Sequence, residues 1–254
     1  MTTKDHLLAS YPFICQAYDD EDSARAFCTQ NNLQLLGMIE ANPSIKTRIL
    51  ADESGPLSFL RHLLPPDNNP WGDFVYNPAT KTLDACLRGT GTGLEWLADL
   101  LAVLTICRYF PGRCHEGMQL VFDCISQSVR LLIAKAPKDV ATIRVHGHSL
   151  GCHLAALTAA QLRQFVIGIP IEVYLWEPPR FFDSGTAASW NRAFPNSWAI
   201  KNQHDLVVTV PPLFNGFNNI AQDVWVEGGW KWDDLKVAHH LETGPYPGVL
   251  RLPS

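Results

Sequence analysis

Residues 147–151 read Gly-His-Ser-Leu-Gly, a G-x-S-x-G pattern whose central serine could act as a nucleophile. Apolar residues 141–146 run directly into this pattern and predict a strand, and Ala- and Leu-rich residues 150–164 run directly out and predict a helix. A serine on such a turn stands exposed at the strand tip, and the helix N-terminus points amide groups at developing negative charge. This context favours nucleophilic catalysis by Ser149 over a glycine-rich turn whose serine only caps a helix.

A nucleophilic serine needs a base to take its proton, and the base needs a carboxylate to orient it. In strand–serine–helix sites the chain order is serine, acid, histidine. The acidic candidates after Ser149 include Asp183, Asp205, Asp223, Asp233 and Asp234. We favour Asp205, because it follows strand-like residues 198–200 and strand ends carry the catalytic residues of α/β sheets. Only His239 and His240 follow Asp205, so the base is one of these two.

The elements that must position these residues alternate between strand and helix. Residues 117–135 have helical spacing, and residues 171–176 and 197–201 read as strands. Residues 74–76 and 82–87 predict one hairpin, and residues 223–227 and 230–232, around Gly228-Gly229, predict another. Residues 1–70 look helical and connective, with a helix starting at Asp22-Ser23. This rhythm predicts an α/β class protein with a mainly parallel sheet covered by helices, in a single domain over residues 1–254.

Composition excludes several classes of protein. The 254 residues are 46% apolar and 18% charged, enough apolar material for a packed core and unlike a disordered chain. The net charge of -5 argues against a nucleic-acid partner that binds a basic face. The seven cysteines are odd in number and lack C-x-x-C spacing, so we expect free buried thiols and no zinc or other metal site.

Targeting signals are weak. The apolar stretch at residues 100–107 is far shorter than the roughly 20 residues of a membrane span. The opening residues, Met-Thr-Thr-Lys-Asp-His, do not resemble a secretory signal peptide. We therefore expect a cytoplasmic protein, or one exported without a cleavable signal.

Several motifs, in order over residues 70–250, resemble the fungal-type class 3 lipases of the α/β-hydrolase fold. The segment Leu87-Arg88-Gly89-Thr90 resembles the family's strand-ending R-G-(S/T), and Cys114-His115-Glu116-Gly117 resembles its H-x-G motif. The elbow at 145–151 and Glu177-Pro178-Pro179-Arg180 resemble its nucleophile motif and its G-x-P-R. Residues 202–207 with Pro211-Pro212 resemble its acid motif, N-x-x-D-x-V followed by P-P.

The resemblance implies roles for individual residues. Ser149 is the expected nucleophile and Asp205 the acid, and Thr90 and the amide of Leu150 are the expected oxyanion hole. For the base, an H-x-L-E motif with Leu241-Glu242 favours His239, whereas an H-L motif favours His240; we prefer His239. No metal or organic cofactor is expected.

Residues 91–100 resemble the family's lid, in which Leu94, Trp96 and Leu97 would contact a lipid surface. Residues 100–104 instead suggest a core helix. The chain departs from the family where Cys152 and His153 follow the elbow and where Glu177 replaces a glycine.

The expected function is a serine carboxylic-ester hydrolase that acts on lipid esters, similar to triacylglycerol lipases. A phospholipase A1 or a diacylglycerol lipase is an alternative within the same chemistry, since head-group selectivity depends on pocket shape. A non-catalytic, lipase-like interaction protein is a further alternative; it would more often lack a triad residue, and here a candidate exists for each.

Overall fold

The computed structural model describes residues 3–51, 70–89, 103–203 and 205–226. The helices are α1 Thr3–Gln16, α2 Glu21–Gln30, α3 Pro43–Ala51, α4 Glu116–Lys135, α5 Gly151–Phe165 and α6 Ser184–Ala193. The strands are β1 Gln34–Met38, β2 Gly72–Asn77, β3 Thr82–Leu87, β4 Leu104–Ile106, β5 Arg113–His115, β6 Thr142–His148, β7 Ile171–Trp176, β8 Phe182–Asp183, β9 Ser197–Asn202, β10 Phe217–Asn218 and β11 Gln222–Val226. Single turns of 3-10 helix cover Val207–Thr209 and Leu213–Asn215.

The main sheet has seven strands in the order β1-β2-β3-β6-β7-β9-β11. From β3 to β11 every neighbouring pair is parallel, whereas β1, β2 and β3 pair antiparallel. Parallel neighbours need long crossovers, which place helices over the faces of the sheet. A second, antiparallel sheet joins β10, β8, β5 and β4. The predicted mainly parallel sheet is confirmed.

Side chains alternate between two cores, one on each face of the sheet. Phe74 and Leu175 lie in the core that also contains the buried residues of α4 and α5. Their neighbours Val75 and Tyr174 lie in the core that contains Ile14 of α1. This alternation is the period of two that a strand buried on both faces requires. Helices therefore cover both faces, as the sequence predicts.

Most predicted elements match the structure closely. The first predicted hairpin is β2 and β3, paired from Gly72 opposite Leu87 to Asn77 opposite Thr82. The helix predicted at 117–135 is α4, and the helix predicted at 150–164 is α5. The strands predicted at 141–146, 171–176 and 197–201 are β6, β7 and β9.

Two predictions for the first part of the chain need correction. Residues 1–70 are not only helical and connective, because β1 pairs with β2. The strand has a register shift between Leu35 and Gly37 and is only partly buried, so it lacks clean alternation of apolar residues. Helix α2 begins at Glu21 rather than after Ser23, because the Asp20 side chain accepts the Ser23 N–H and caps the helix there.

One later prediction is wrong in part, and another is tested only in its first strand. Leu104, expected in a core helix, begins strand β4 and is only half-buried; residues 100–102 lie outside the described residues. Residues 223–226 do form a strand, but it pairs in parallel with β9. The turn and second strand expected at 228–232 lie outside the described residues.

The cysteines agree with the expectation of free thiols. All seven lie in the described ranges, none forms a disulfide, and all are buried except the half-buried Cys15. Within those ranges, no group of three or more metal-binding side chains is arranged to hold a metal ion. None of the described helices combines the length and apolar character that a membrane crossing requires.

Candidate active site

Ser149 occupies the sharp turn between β6 and α5. Its φ is +56°, a left-handed conformation that costs free energy for a residue with a Cβ. The flanking glycines make the turn sterically feasible. A Cβ on Gly147 would lie 2.8 Å from the Ala155 Cβ, and one on Gly151 would lie within 3.0 Å of the Leu87 carbonyl oxygen. The two glycines of the pattern are thus required by close packing of this turn against its own helix and against β3.

Ser149 lies against the loop that follows β3. The residue is 2% exposed, and its Oγ has no hydrogen-bond partner among the described residues. A Cβ on Gly89 would lie 3.0 Å from the Ser149 Cβ, so this loop touches the serine directly. Leu150 follows at the start of α5, where the first N–H groups lack intrahelical acceptors. An oxygen atom bearing negative charge could be bound between these two backbone segments.

Ser149, Glu177 and Asp205 each follow one of three parallel strands, β6, β7 and β9, at the carboxyl edge of the main sheet. His148, Trp176 and Ile200 lie opposite one another at the carboxyl ends of β6, β7 and β9. The pairing continues past these ends: Ser149 N–H donates to the Trp176 carbonyl, and Glu177 N–H to the Ile200 carbonyl, each at 2.8 Å. Ligands of open α/β sheets bind at this carboxyl edge.

Asp205 lies just beyond β9 and is 2% exposed. Its Oδ1 accepts the Val207 N–H at 2.9 Å, and its own N–H donates to the Asn202 carbonyl at 3.1 Å, which fixes the turn. The other described acidic candidates have different environments. Asp183 caps α6 by accepting the Thr186 N–H, and Asp223 forms a half-exposed ion pair with Lys201. Of these three aspartates, Asp205 is the buried one.

Glu177, which sequence analysis treats only as a departure from the family, lies beside Asp205. It is fully buried and has a φ of +54°. Both carboxyl oxygens lie 3.1 Å from the Asn202 nitrogen, and the carboxyl group is hydrogen-bonded to Asp205. Burial, and then the charge of Asp205, raise the pKa of Glu177 well above its ordinary value. The only sequence signal was an ionisable residue directly after the apolar strand β7.

Tyr18, which sequence analysis missed, holds the loop after β3. Its Oη accepts the Gly89 N–H at 3.0 Å and is hydrogen-bonded to Nδ1 of His148. The Arg88 guanidinium lies over its ring, 4.9 Å from the centroid. Burial raises the pKa of Tyr18, so the phenol stays neutral. Tyr18 is 71 residues before Gly89, and no local pattern marks this contact.

A buried Ser-His-Asp network joins α1 to the sheet. Ser10 Oγ is 2.8 Å from Nδ1 of His146, and Nε2 of His146 is 2.8 Å from Asp84. All three residues are fully buried, and Ser10 also accepts the Trp176 Nε1–H at 3.1 Å. Arg144 binds both oxygens of the Asp84 carboxylate. Burial lowers the pKa of His146. The hydrogen bonds of this buried network hold α1 against the sheet.

The residues that depart from the family after Ser149 serve packing. The Cys152 thiol donates to the carbonyls of Trp176 at 3.1 Å and Gly147 at 3.3 Å. His153 is fully buried and stacks on Phe181 with ring centroids 4.5 Å apart. Burial lowers the pKa of His153 well below its ordinary value, so the ring is neutral.

Several expected site residues lie outside the described residues. These are Thr90 of the expected oxyanion hole, the lid residues Leu94, Trp96 and Leu97, and both candidates for the base, His239 and His240. The described residues bring together Ser149, Leu150 and Gly89 at the turn, and Glu177 and Asp205 at the neighbouring strand ends.

The chain is similar in sequence to a known family and to characterised lipases. A sequence model of the family described as Lipase (class 3) matches residues 85–215, about half of the chain. The secreted mono- and diacylglycerol lipase 1 of Fusarium solani is 23% identical over 59% of this chain and 46% of its own length. The secreted mono- and diacylglycerol lipase A of Penicillium cyclopium is 28% identical over 55% of this chain and 46% of its own. The chain thus spans about half the length of these relatives.

The fold is also similar to a solved structure. A triacylglycerol lipase whose catalytic centre is described as a serine protease triad superposes with a TM-score of 0.66. The two share 17% identity over 89% of this chain and 81% of that one. At this identity the likeness shows the fold, which is the α/β-hydrolase fold. With a family match over half of its residues and the serine turn inside that match, the chain belongs to the class 3 lipase family.

Proposed function

We propose that this protein is a serine carboxylic-ester hydrolase that acts on lipid esters, with Ser149 as nucleophile, Asp205 as acid and His239 as base. The single observation that carries the proposal is Ser149 itself: a strained serine at a strand–helix turn, in contact with the loop after β3. A left-handed, buried serine persists only where the surrounding packing enforces it, and such positions cluster at active sites. The burial of Asp205 at the same sheet edge supports the assignment of the acid.

The proposed chemistry proceeds through an acyl-enzyme. Ser149 Oγ attacks the ester carbonyl carbon while the imidazole of His239 takes the hydroxyl proton. The carbonyl oxygen becomes an oxyanion, which accepts hydrogen bonds from the amide of Leu150 and from Thr90. Collapse breaks the ester C–O bond, and the imidazolium returns its proton to the leaving alcohol. Water, deprotonated by the same imidazole, then releases the acid and restores Ser149. Asp205 orients the ring and stabilises its charge throughout.

Glycerol esters are the proposed substrates. The two relatives above are named mono- and diacylglycerol lipases, and the similar solved structure is a triacylglycerol lipase. Triacylglycerol is one candidate substrate, and a mono- or diacylglycerol is the other. The names of the two relatives favour the mono- or diacylglycerol. Leu94, Trp96 and Leu97 are proposed to contact the lipid surface as a lid. We also propose one domain over residues 1–254; cytoplasmic location, or export without a cleavable signal, stays a prediction.

A fluorophosphonate probe tests the nucleophile, because it forms a covalent bond to an activated serine with loss of fluoride. We expect Ser149→Ala to abolish labelling and to lower turnover on the order of 10⁴–10⁶-fold. The matched control is Ser10→Ala, which removes the serine of the buried Ser-His-Asp network and should leave labelling intact. Labelling that survives in Ser149→Ala and disappears in Ser10→Ala would overturn the assignment.

Substrate class is tested on the wild type. Hydrolysis is measured on p-nitrophenyl esters of increasing chain length, emulsified triacylglycerol, diacylglycerol and phosphatidylcholine vesicles. We expect release of fatty acid from a glyceride emulsion. Release from phosphatidylcholine alone would assign phospholipase activity instead, and no release or labelling at all would favour a non-catalytic role.

A further inference from the structure

Glu177 follows the last residue of β7, where both its burial and its backbone conformation are energetically unfavourable. Glu177 is fully buried, and its φ of +54° lies in the region that favours glycine, the residue that the family motif has here. A buried carboxyl group and a strained backbone each cost free energy. A residue that carries both costs at an active-site edge suggests a function for its side chain.

The contacts of Glu177 point toward Asp205. Its two carboxyl oxygens share the Asn202 N–H, each at 3.1 Å, and the group is hydrogen-bonded to the Asp205 carboxyl. Asp205 in turn accepts the Val207 N–H. A hydrogen bond between two carboxyl groups needs a proton on one of them, and two buried carboxylates in contact cannot both ionise.

The charged and titratable groups around Glu177 identify the carrier of this proton. Asp205 and the Cys152 thiol lie close enough to interact with it electrostatically, and the cation Lys201 is ion-paired with Asp223. Burial first, and then the charge of Asp205, raise the pKa of Glu177 well above its ordinary value. Glu177 is therefore the partner that carries the proton.

We propose that Glu177 is a positioning residue for Asp205: its protonated carboxyl group donates a hydrogen bond to the Asp205 carboxylate and holds it in one orientation. The pair then presents a single negative charge to the base. This inference rests on the proposed function for the role of Asp205, but the protonation of Glu177 can be tested without activity.

Three variants separate positioning from simple packing. Glu177→Gln keeps the shape, can donate from its amide to Asp205, and can accept the Asn202 N–H, but it cannot titrate. Glu177→Leu removes the donor. Asp73→Asn is the matched control, because Asp73 is also a fully buried carboxyl group with a raised pKa. Asp73 lies on β2, three strands away from β7 in the sheet, and its carboxyl group is hydrogen-bonded to the Gln16 side chain.

The first measurement is kcat and KM on a soluble ester across pH. We expect Glu177→Leu to lower kcat about 10- to 100-fold with KM nearly unchanged, the loss of one hydrogen bond to a charged group. Glu177→Gln should restore kcat and should lack the decline that ionisation of Glu177 causes in the wild type at higher pH. In an Asp205→Asn background, Glu177→Leu should lower kcat no further, because the two residues act through one interaction. Asp73→Asn should leave the kcat profile unchanged.

The second measurement, the melting temperature across pH, needs no activity. A raised folded-state pKa stabilises the fold fully only below the ordinary carboxyl pKa, and that contribution is lost as pH rises toward the folded pKa. The melting temperature of Glu177→Gln should therefore rise relative to wild type as pH increases from about 5. If this difference does not change with pH, or if Glu177→Gln is as inactive as Glu177→Leu, the proposal is overturned. If only the wild-type hydrolysis is missing, the proposed function fails, and the melting data alone decide whether Glu177 carries a proton in the folded protein.

Discussion

Gly89 is the position where one added methyl group should damage catalysis most selectively. A Cβ there would lie 2.8 Å from the His148 carbonyl oxygen, 2.9 Å from Tyr18 Oη and 3.0 Å from the Ser149 Cβ. Ordinary contact begins at 3.4 Å, so the three atoms or the loop must move by roughly 0.4–0.6 Å, the differences between 3.4 Å and these distances. The His148 oxygen is backbone and the Ser149 Cβ lies on the strained turn, so the loop is the part that moves.

The expected cost of Gly89→Ala follows from that displacement. Overpacking of this size destabilises a fold by about 1–3 kcal/mol. Loss of one oxyanion donor lowers kcat by roughly 10²–10³-fold, and a partial displacement of the Gly89–Thr90 backbone should cost about 10- to 100-fold. The assay is kcat and KM on a soluble ester, together with the melting temperature at the same pH.

Gly185→Ala is the matched control for the same chemical change. Gly185 lies in α6 with ordinary φ, and the nearest atom to its Cβ would be 3.7 Å away. Alanine there should leave kcat unchanged and leave stability unchanged or higher by roughly 0.5–1 kcal/mol. A Gly89→Ala variant with wild-type kcat would contradict this prediction, because the loop would then not determine the oxyanion geometry.

Three further predictions concern the acid, the base and a buried carboxyl. Asp205→Asn should lower kcat by roughly 10⁴-fold without loss of folding, whereas Asp223→Asn, at a half-exposed ion pair, should remain active; the opposite pattern would transfer the acid's role. His239→Ala should be as inactive as a variant without the nucleophile, and His240→Ala should keep much of its activity on one soluble ester; a reversal would make His240 the base. Burial raises the pKa of Asp73 to about 7, so its contribution to stability is fully present below pH 3.8 and is lost as pH rises to about 7. The free energy of unfolding in urea should therefore fall with pH across this range in wild type, and should fall less steeply in Asp73→Asn.

The sequence predicted an element correctly wherever that element depends on a continuous run of residues with a clear apolar pattern. The apolar alternation of β6, the helical spacing of α4 and the turn between β2 and β3 all depend on near neighbours in the chain. Prediction failed at β1 and β4, which are short and only partly buried. Such strands carry a weak periodic signal because neither face is fully withdrawn from water.

The candidate site divides in the same way. Ser149 is a candidate nucleophile from the sequence because its turn needs glycines at fixed offsets, and Asp205 is a candidate acid because it follows a strand end and precedes the last histidines. The burial that favours Asp205 over Asp183 and Asp223 became visible only in the fold. The preference for His239 over His240 stays a prediction.

Near neighbours in the chain predict the strand–serine–helix turn and the succession of strands and helices that indicates a mainly parallel sheet. Only the tertiary structure decided which distant groups share a buried site: Tyr18 with Gly89, Ser10 with His146, and Glu177 with Asp205. The physical reason is desolvation. The protonation state and hydrogen bonds of a polar group depend on which atoms exclude water from it, and those atoms meet only when neighbouring strands and α1 pack together.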